Sequence, residues 1–301
     1  MNEVENERGA AARMTRRTGV LAAIGALLSG CSGATILNTL VSSQTYTGQE
    51  GIAYGPDPRQ RLDVYRPLTP AGNQPPPIVV FFYGGSWSNG ERADYRFVGE
   101  ALASHGAIAI VADYRLSPAV RYPAFLMDCA QAVRWAFDHA AELGGGPGNI
   151  VLMGHSAGAY NAAMLALDAR WLAGAGLAPR QLAGWIGIAG PYDFLPIHDA
   201  KTQVAFNWPG TPRDSQPIEH ARASARALLV AAENDSTVNP QRSTVGLGTR
   251  LKAAGGDVQV KLYERVNHVT VLAALARPLN WLAPVLADVL AFLRLPVKPS
   301  S

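Results

Sequence analysis

The fold turns on the stretch Asn149-Ile150-Val151-Leu152-Met153-Gly154-His155-Ser156-Ala157-Gly158-Ala159. Residues 150–153 are an apolar run of strand character, and the small residues of 157–167 read as the helix that follows. Between the two sits Gly-x-Ser-x-Gly, the pattern of a serine carried on a sharp strand-to-helix turn. Such a turn points the hydroxyl into a cleft and brings backbone segments close together, so small residues are needed at Gly154 and Gly158. Ser156 is therefore the candidate nucleophile. The Ala157 amide, at the start of the helix, is a candidate donor to a developing oxyanion. The competing reading is a Gly-rich turn with no chemistry.

Working outward, 78–82 is another continuous apolar run, as expected of a central parallel strand covered on both faces. Further strands are expected at 107–111, 182–188, 227–231 and 258–263, and helices at 124–140, at 244–254 and after Pro284. Residues 60–65 alternate like an early edge strand, and 67–77 is a Pro-rich loop. Strand and helix in alternation predict an α/β fold with a mostly parallel central sheet and helices on both faces. The interval 193–224 breaks the rhythm with several prolines, His198, His220, Phe194, Phe206 and Trp208. It is expected to form a small lid or pocket wall at the carboxyl ends of the strands, with an ordinary surface excursion as the alternative.

A second motif follows the 78–82 strand: Phe82-Tyr83-Gly84-Gly85-Ser86-Trp87. It resembles the His-Gly-Gly-Gly-Trp loop of hormone-sensitive-lipase-like and feruloyl-esterase-like (BD-FAE-type) hydrolases, members of the α/β-hydrolase superfamily. That resemblance implies that the amides of Gly85 and Ser86 face the oxyanion, with Tyr83 replacing the family histidine and Ser86 its third glycine. It also implies the chain order serine, acid, histidine. Ala232-Glu233-Asn234-Asp235-Ser236-Thr237-Val238-Asn239-Pro240 resembles the family's acid segment, making Asp235 the acid and Glu233 the alternative. His268, in Asn267-His268 after the last strand, is the base, because the other five histidines precede Asp235.

The likeness runs in order over residues 60–294 and includes 112–118, 122–124 and 190–193. Within it, Arg115 and Asp128 are expected to brace loops, and Asp193 is a candidate for lining the pocket. Trp87, Phe206 and Trp208 fit either a substrate pocket or core packing.

The 301 residues suffice for one large domain. With 48% hydrophobic and 16% charged residues, the chain carries an extensive core rather than long disorder. The net charge of +3, without a basic stripe, excludes a nucleic-acid surface as a partner site. Arg16-Arg17, the apolar run 20–28 and Leu28-Ser29-Gly30-Cys31 compose a secretory signal at 1–30. Its end resembles the lipobox of bacterial lipoproteins, which implies lipidation at Cys31, a tether over 31–58 and a hydrolase domain over 59–296. The expected location is then the cell envelope, lipid-anchored to a bacterial membrane and facing the periplasm or exterior. An uncleaved helix or a start codon at Met14 is the alternative. The second cysteine, Cys129, reads as a buried structural thiol.

These residues point to acyl transfer to water: a carboxylic-ester hydrolase with a Ser156-His268-Asp235 triad, an acyl-enzyme, and no cofactor or metal. An aryl formamidase or other amidase would use the same triad, and a peptidase is more remote. The non-enzyme alternative is a catalytically inactive, envelope-anchored binding protein. Oligomeric state is not encoded in any recognisable pattern.

Overall fold

The computed structural model describes residues 37–39, 41–69 and 74–296. Cys31 and the 20–28 run lie outside the described residues. The core is an eight-stranded sheet in the spatial order β1-β2-β4-β3-β5-β6-β7-β8. Its strands are β1 (Tyr46–Ala53), β2 (Arg61–Pro67), β3 (Ile78–Phe82), β4 (Ile108–Ala112), β5 (Ile150–His155), β6 (Gly184–Ile188), β7 (Ala227–Ala232) and β8 (Val258–Tyr263). β1 and β2 pair antiparallel, as do β2 and β4, and every later pairing is parallel.

The apolar runs explain this arrangement. Every residue of β3, β4, β5, β6 and β7 is buried, so both faces of the sheet are covered and no alternation of polar residues is tolerated. The covering helices include α1 (Arg96–Ala103), α2 (Ala124–His139), α3 (Ala157–Leu167) and α4 (Ala169–Ala173). They continue with α5 (Ala200–Ala205), α6 (Gly246–Ala253), α7 (Thr270–Ala273) and α8 (Val285–Phe292). All eleven residues of α3 are buried, which accounts for its lack of a polar face.

Two differences from the sequence reading have physical causes. β1 falls within the stretch read as a tether, and it displaces β2 from the edge of the sheet. Five of its eight residues are exposed and its pairing slips between Gln49 and Ile52, so it lacks a regular apolar face. The helix expected at 244–254 is divided: Gln241–Val245 has wider π-type winding and leads into α6. Among the described residues no helix is long and apolar enough to cross a membrane.

The sheet delivers its loops to one end. The segments after β3, β5, β6, β7 and β8 all leave from the carboxyl ends of parallel strands, where ligands gather in open α/β sheets. A close crossing of backbone segments lies under Ser156. A Cβ on Gly154 would strike the Gly158 carbonyl, and a Cβ on Gly158 would strike the carbonyl oxygens of Phe82 and Tyr83. Gly158→Ala is therefore expected to cost at least about 1–3 kcal/mol, because β3 and the start of α3 cannot separate without distorting the sheet. Urea unfolding measures this cost; a variant as stable as the parent would show that the crossing is not constrained.

Candidate active site

Ser156 leaves β5 with φ 51° and ψ −120°, a conformation that L-residues adopt only under strain, worth about 1–3 kcal/mol. Its own amide donates to the Ile188 carbonyl at 2.8 Å, while its carbonyl accepts from Ala159 and Tyr160 in the first turn of α3. The side chain is left pointing toward the loop that follows β8. There His268 Nε2 stands 2.9 Å from Ser156 Oγ, and His268 Nδ1 lies 2.7 Å from Asp235 Oδ2. The sequence-predicted serine, histidine and acid thus converge, although the outer pair are separated by 112 positions.

Asp235 is buried, and its second oxygen accepts the amides of Thr237 at 2.8 Å and Val238 at 2.9 Å. Burial pushes this carboxyl up. The hydrogen bond and charge of His268, with those two amides, outweigh burial and hold it below the usual carboxylate range. The carboxylate can only accept, so the His268 proton sits on Nδ1 and leaves Nε2 to accept the serine hydroxyl. Glu233 is exposed and makes no part of this arrangement. Asn267 fixes the histidine loop: its Oδ1 accepts the amides of Val269 and Thr270, and its own amide donates to Thr270 Oγ1.

Opposite Ser156 lies the loop after β3. Gly85 has φ 127° and Ser86 φ 51°. The amides of Gly85, Ser86 and Ala157 donate to no acceptor among the described residues. The loop is braced from behind by Tyr83, which is fully buried. Its hydroxyl donates to Asp113 at 2.7 Å and accepts from Arg59 at 2.7 Å. Arg59 also holds the Gly90 carbonyl, and Arg92 bridges Asp113 and Asp63. Arg115 grips Asp128 through both oxygens, a scaffold contact of the kind the sequence suggested.

The sequence reading passed over His155 because it precedes Asp235 in the chain. Its ring is nonetheless part of the support. His155 Nε2 donates to the backbone carbonyl of His268 at 2.8 Å, tying the serine turn to the histidine loop. Burial, reinforced by the neighbouring His268 ring, lowers its pKa to about 3, so it is neutral and its buried Nδ1 has no partner. The contact joins residues 113 positions apart, which no local pattern encodes.

Two depressions meet at Ser86 and Ser156. One, about 450 Å³, is walled by Trp87, Pro191, Asp193, Phe194, Ile197 and Thr202. The interval read as a lid supplies one part of that wall, from Asp193 to Thr202, and Arg242 ties it down through Asp193. The other, about 460 Å³, holds His268, Gly84, Tyr95, Phe97 and Leu272. Of the three aromatics considered from sequence, Trp87 lines the first depression and donates from its indole to Asn161. Phe206 is buried edge-on behind it with centroids 4.7 Å apart, and Trp208 borders neither depression. Cys129 is buried against Asn161, and burial pushes its thiol pKa up. Among the described residues no three His, Cys, Asp or Glu side chains form a metal-ligand group.

This sheet, with a serine on a strained turn after β5 and its partners after β7 and β8, defines a protein of the α/β-hydrolase class. The chain belongs to the BD-FAE family, whose model matches residues 62–246, more than half of its length. It is 28% identical over 241 residues to a probable isoprenylcysteine alpha-carbonyl methylesterase of Oryza sativa subsp. japonica, covering 73% of this chain and 58% of that protein. It is 28% identical over 229 residues to the esterase LipC of Mycobacterium tuberculosis, covering 69% and 56%. The chain spans about half the length of the curated relatives it matches. Among solved structures, a truncated carbohydrate esterase from gut microbiota superposes with a TM-score of 0.72 at 19% identity, covering 84% of this chain and 98% of that one.

The neutral burial of His155 has a pH signature. Unfolded, the ring regains an ordinary pKa of about 6.5 and binds a proton that the folded state refuses down to about pH 3. Stability is therefore full above that unfolded value and declines as pH falls between the two. Below pH 6 this one ring should add a slope approaching about 1.4 kcal/mol per pH unit, and His155→Asn should flatten it. Urea unfolding at pH 7, 6 and 5 makes the comparison; equal slopes in the two proteins would remove His155 as the cause.

Proposed function

We propose that this protein hydrolyses carboxylic esters through an acyl-enzyme formed on Ser156. The observation that carries the reading is the continuous hydrogen-bond chain from Ser156 Oγ through His268 to the buried Asp235 carboxylate, facing three uncommitted backbone amides. His268 Nε2 takes the serine proton as Oγ attacks the ester carbonyl, and Asp235 stabilises the imidazolium that results. The carbonyl oxygen becomes an oxyanion held by the amides of Gly85, Ser86 and Ala157, already oriented before substrate arrives. His268 then returns its proton to the leaving alcohol as the C–O bond breaks. Water, deprotonated by the same nitrogen, attacks the acyl-enzyme and releases the acid.

The names of the relatives support ester cleavage over amide cleavage, since each protein cited above is an esterase or methylesterase. Ser156→Ala is expected to lower kcat for p-nitrophenyl butyrate at least about 1,000-fold with little change in KM. The parent, and not the variant, should be labelled by a fluorophosphonate probe. Full activity in the variant would overturn the assignment.

We further propose that the protein works at the cell envelope, held by lipid on Cys31. The Leu28-Ser29-Gly30-Cys31 ending of a short apolar run supports this, because several acyl chains on one residue anchor stably where a single chain is marginal. Cys31→Ser should move the protein from the membrane to the soluble fraction of fractionated cells. If the variant stays with the membrane, lipid on this cysteine is not the anchor.

A further inference from the structure

We propose that Leu37, carried on the segment that precedes the sheet, limits the size of the alcohol portion of the ester. The inference rests on the ester-hydrolase reading above and extends it to the substrate's leaving group.

The two depressions at Ser156 are not equivalent. His268 lines only one of them, the depression that also contains Leu37, Tyr95, Phe97 and Leu272. When the tetrahedral intermediate collapses, the bond from carbon to the leaving oxygen breaks and that oxygen must receive the proton on His268 Nε2. The leaving alcohol is therefore directed into the depression that holds His268. The acyl chain takes the other, between Trp87, Phe194 and Ile197. The alcohol side combines the apolar side chains of Leu37, Phe97 and Leu272 with polar ones from Asn89, Asp94 and Lys201, and its apolar part suits the hydrocarbon chain of an alcohol.

Leu37 is 1% exposed, although it stands before the first strand and outside the residues matched by the family model. Its position is not incidental, because the next residue is fastened on three sides. The Asn38 side chain accepts the Phe97 amide at 3.1 Å and donates to the Ala93 carbonyl at 2.6 Å. The Arg96 guanidinium donates to the Asn38 backbone carbonyl at 2.5 Å. A second tie follows at Thr45, whose hydroxyl donates to Glu100 on α1 at 2.9 Å. The segment is thus clamped to α1 and to the turn before it, the same element that contributes Tyr95 and Phe97. Leu37 closes that part of the wall.

The test varies one half of the ester at a time. Acetates of methanol through octanol probe the alcohol side, and p-nitrophenyl esters from acetate to decanoate probe the acyl side. Leu37→Ala should raise kcat/KM for hexyl and octyl acetate, relative to ethyl acetate, by about tenfold, while the acyl series keeps its profile. Leu37→Phe should shift the alcohol profile toward shorter chains. Asn38→Ala, which releases the clamp without touching the pocket lining, should move it in the same direction as Leu37→Ala. If Leu37→Ala does not unfold cooperatively, the Leu37→Phe and Asn38→Ala profiles decide.

A change confined to the acyl series, or unchanged profiles in folded variants, overturns the role of Leu37 while leaving the esterase reading intact. A parent protein that hydrolyses none of these esters and takes no fluorophosphonate overturns the esterase reading, and the role of Leu37 with it.

Discussion

The carbonyl oxygens at the end of β3 and the backbone at the start of α3 occupy almost the same space. Only the absence of a side chain at Gly158 lets them pass, as the absence of one at Gly154 lets β5 meet the same turn. This crossing holds Ser156 at φ 51° and ψ −120° against its intrinsic preference. From it follow the direction of Oγ, the first free amide of α3 and the nearness of the loop after β3. The cost of the strained residue is carried by sheet strands whose residues are buried throughout, and which have little freedom to relax it.

Around that fixed point the supports come from distant parts of the chain. His155 fastens the carbonyl of His268, Tyr83 and Arg59 fasten the loop of Gly85, and Arg242 fastens Asp193 in the wall of one depression. Of these, Tyr83 and Arg59 line neither depression. Together these contacts restrict the relative motion of the loops that carry Gly85, His268 and Asp193, which matters for the proposed reaction because an error of about 1 Å in such a site can cost about a hundredfold in rate.

The parts of this arrangement that were legible in the sequence are those written in local order. Ser156 declares itself through its two flanking glycines and the strand before it, and the apolar runs of β3 to β7 mark a sheet covered on both faces. Asp235 and His268 were found by chain order and by the resemblance of their flanking segments, 232–240 and 267–268, to the family's. β1 was missed because its exposed residues and slipped pairing leave no apolar face to detect. α1 did carry a readable signal, with Phe97, Val98, Ala101 and Leu102 buried at helical spacing. Arg115 and Asp128, 13 positions apart, were legible as a brace, whereas the ties of His155, Arg59 and Arg242 were not, because each is a contact across tens of residues. Aromatic residues in the lid interval looked alike, and only packing separates Phe206, buried behind Trp87, from Trp208, which borders neither depression.

Tyr83 stands where family relatives are expected to carry a histidine, and the exchange changes what kind of brace the loop has. Burial, together with Tyr114 and Asp113, pushes the phenol well above its ordinary pKa. It therefore keeps its proton throughout the range in which an imidazole would gain or lose one. The proposed cycle asks His268 to take and return a proton at every turnover, and a second titrating ring behind the glycines would let acidity disturb the scaffold and the chemistry together. With a phenol there, the loop carrying Gly85 and Ser86 has a brace with one protonation state, and the buried ring of His155 on the serine turn is left as the acid-sensitive support.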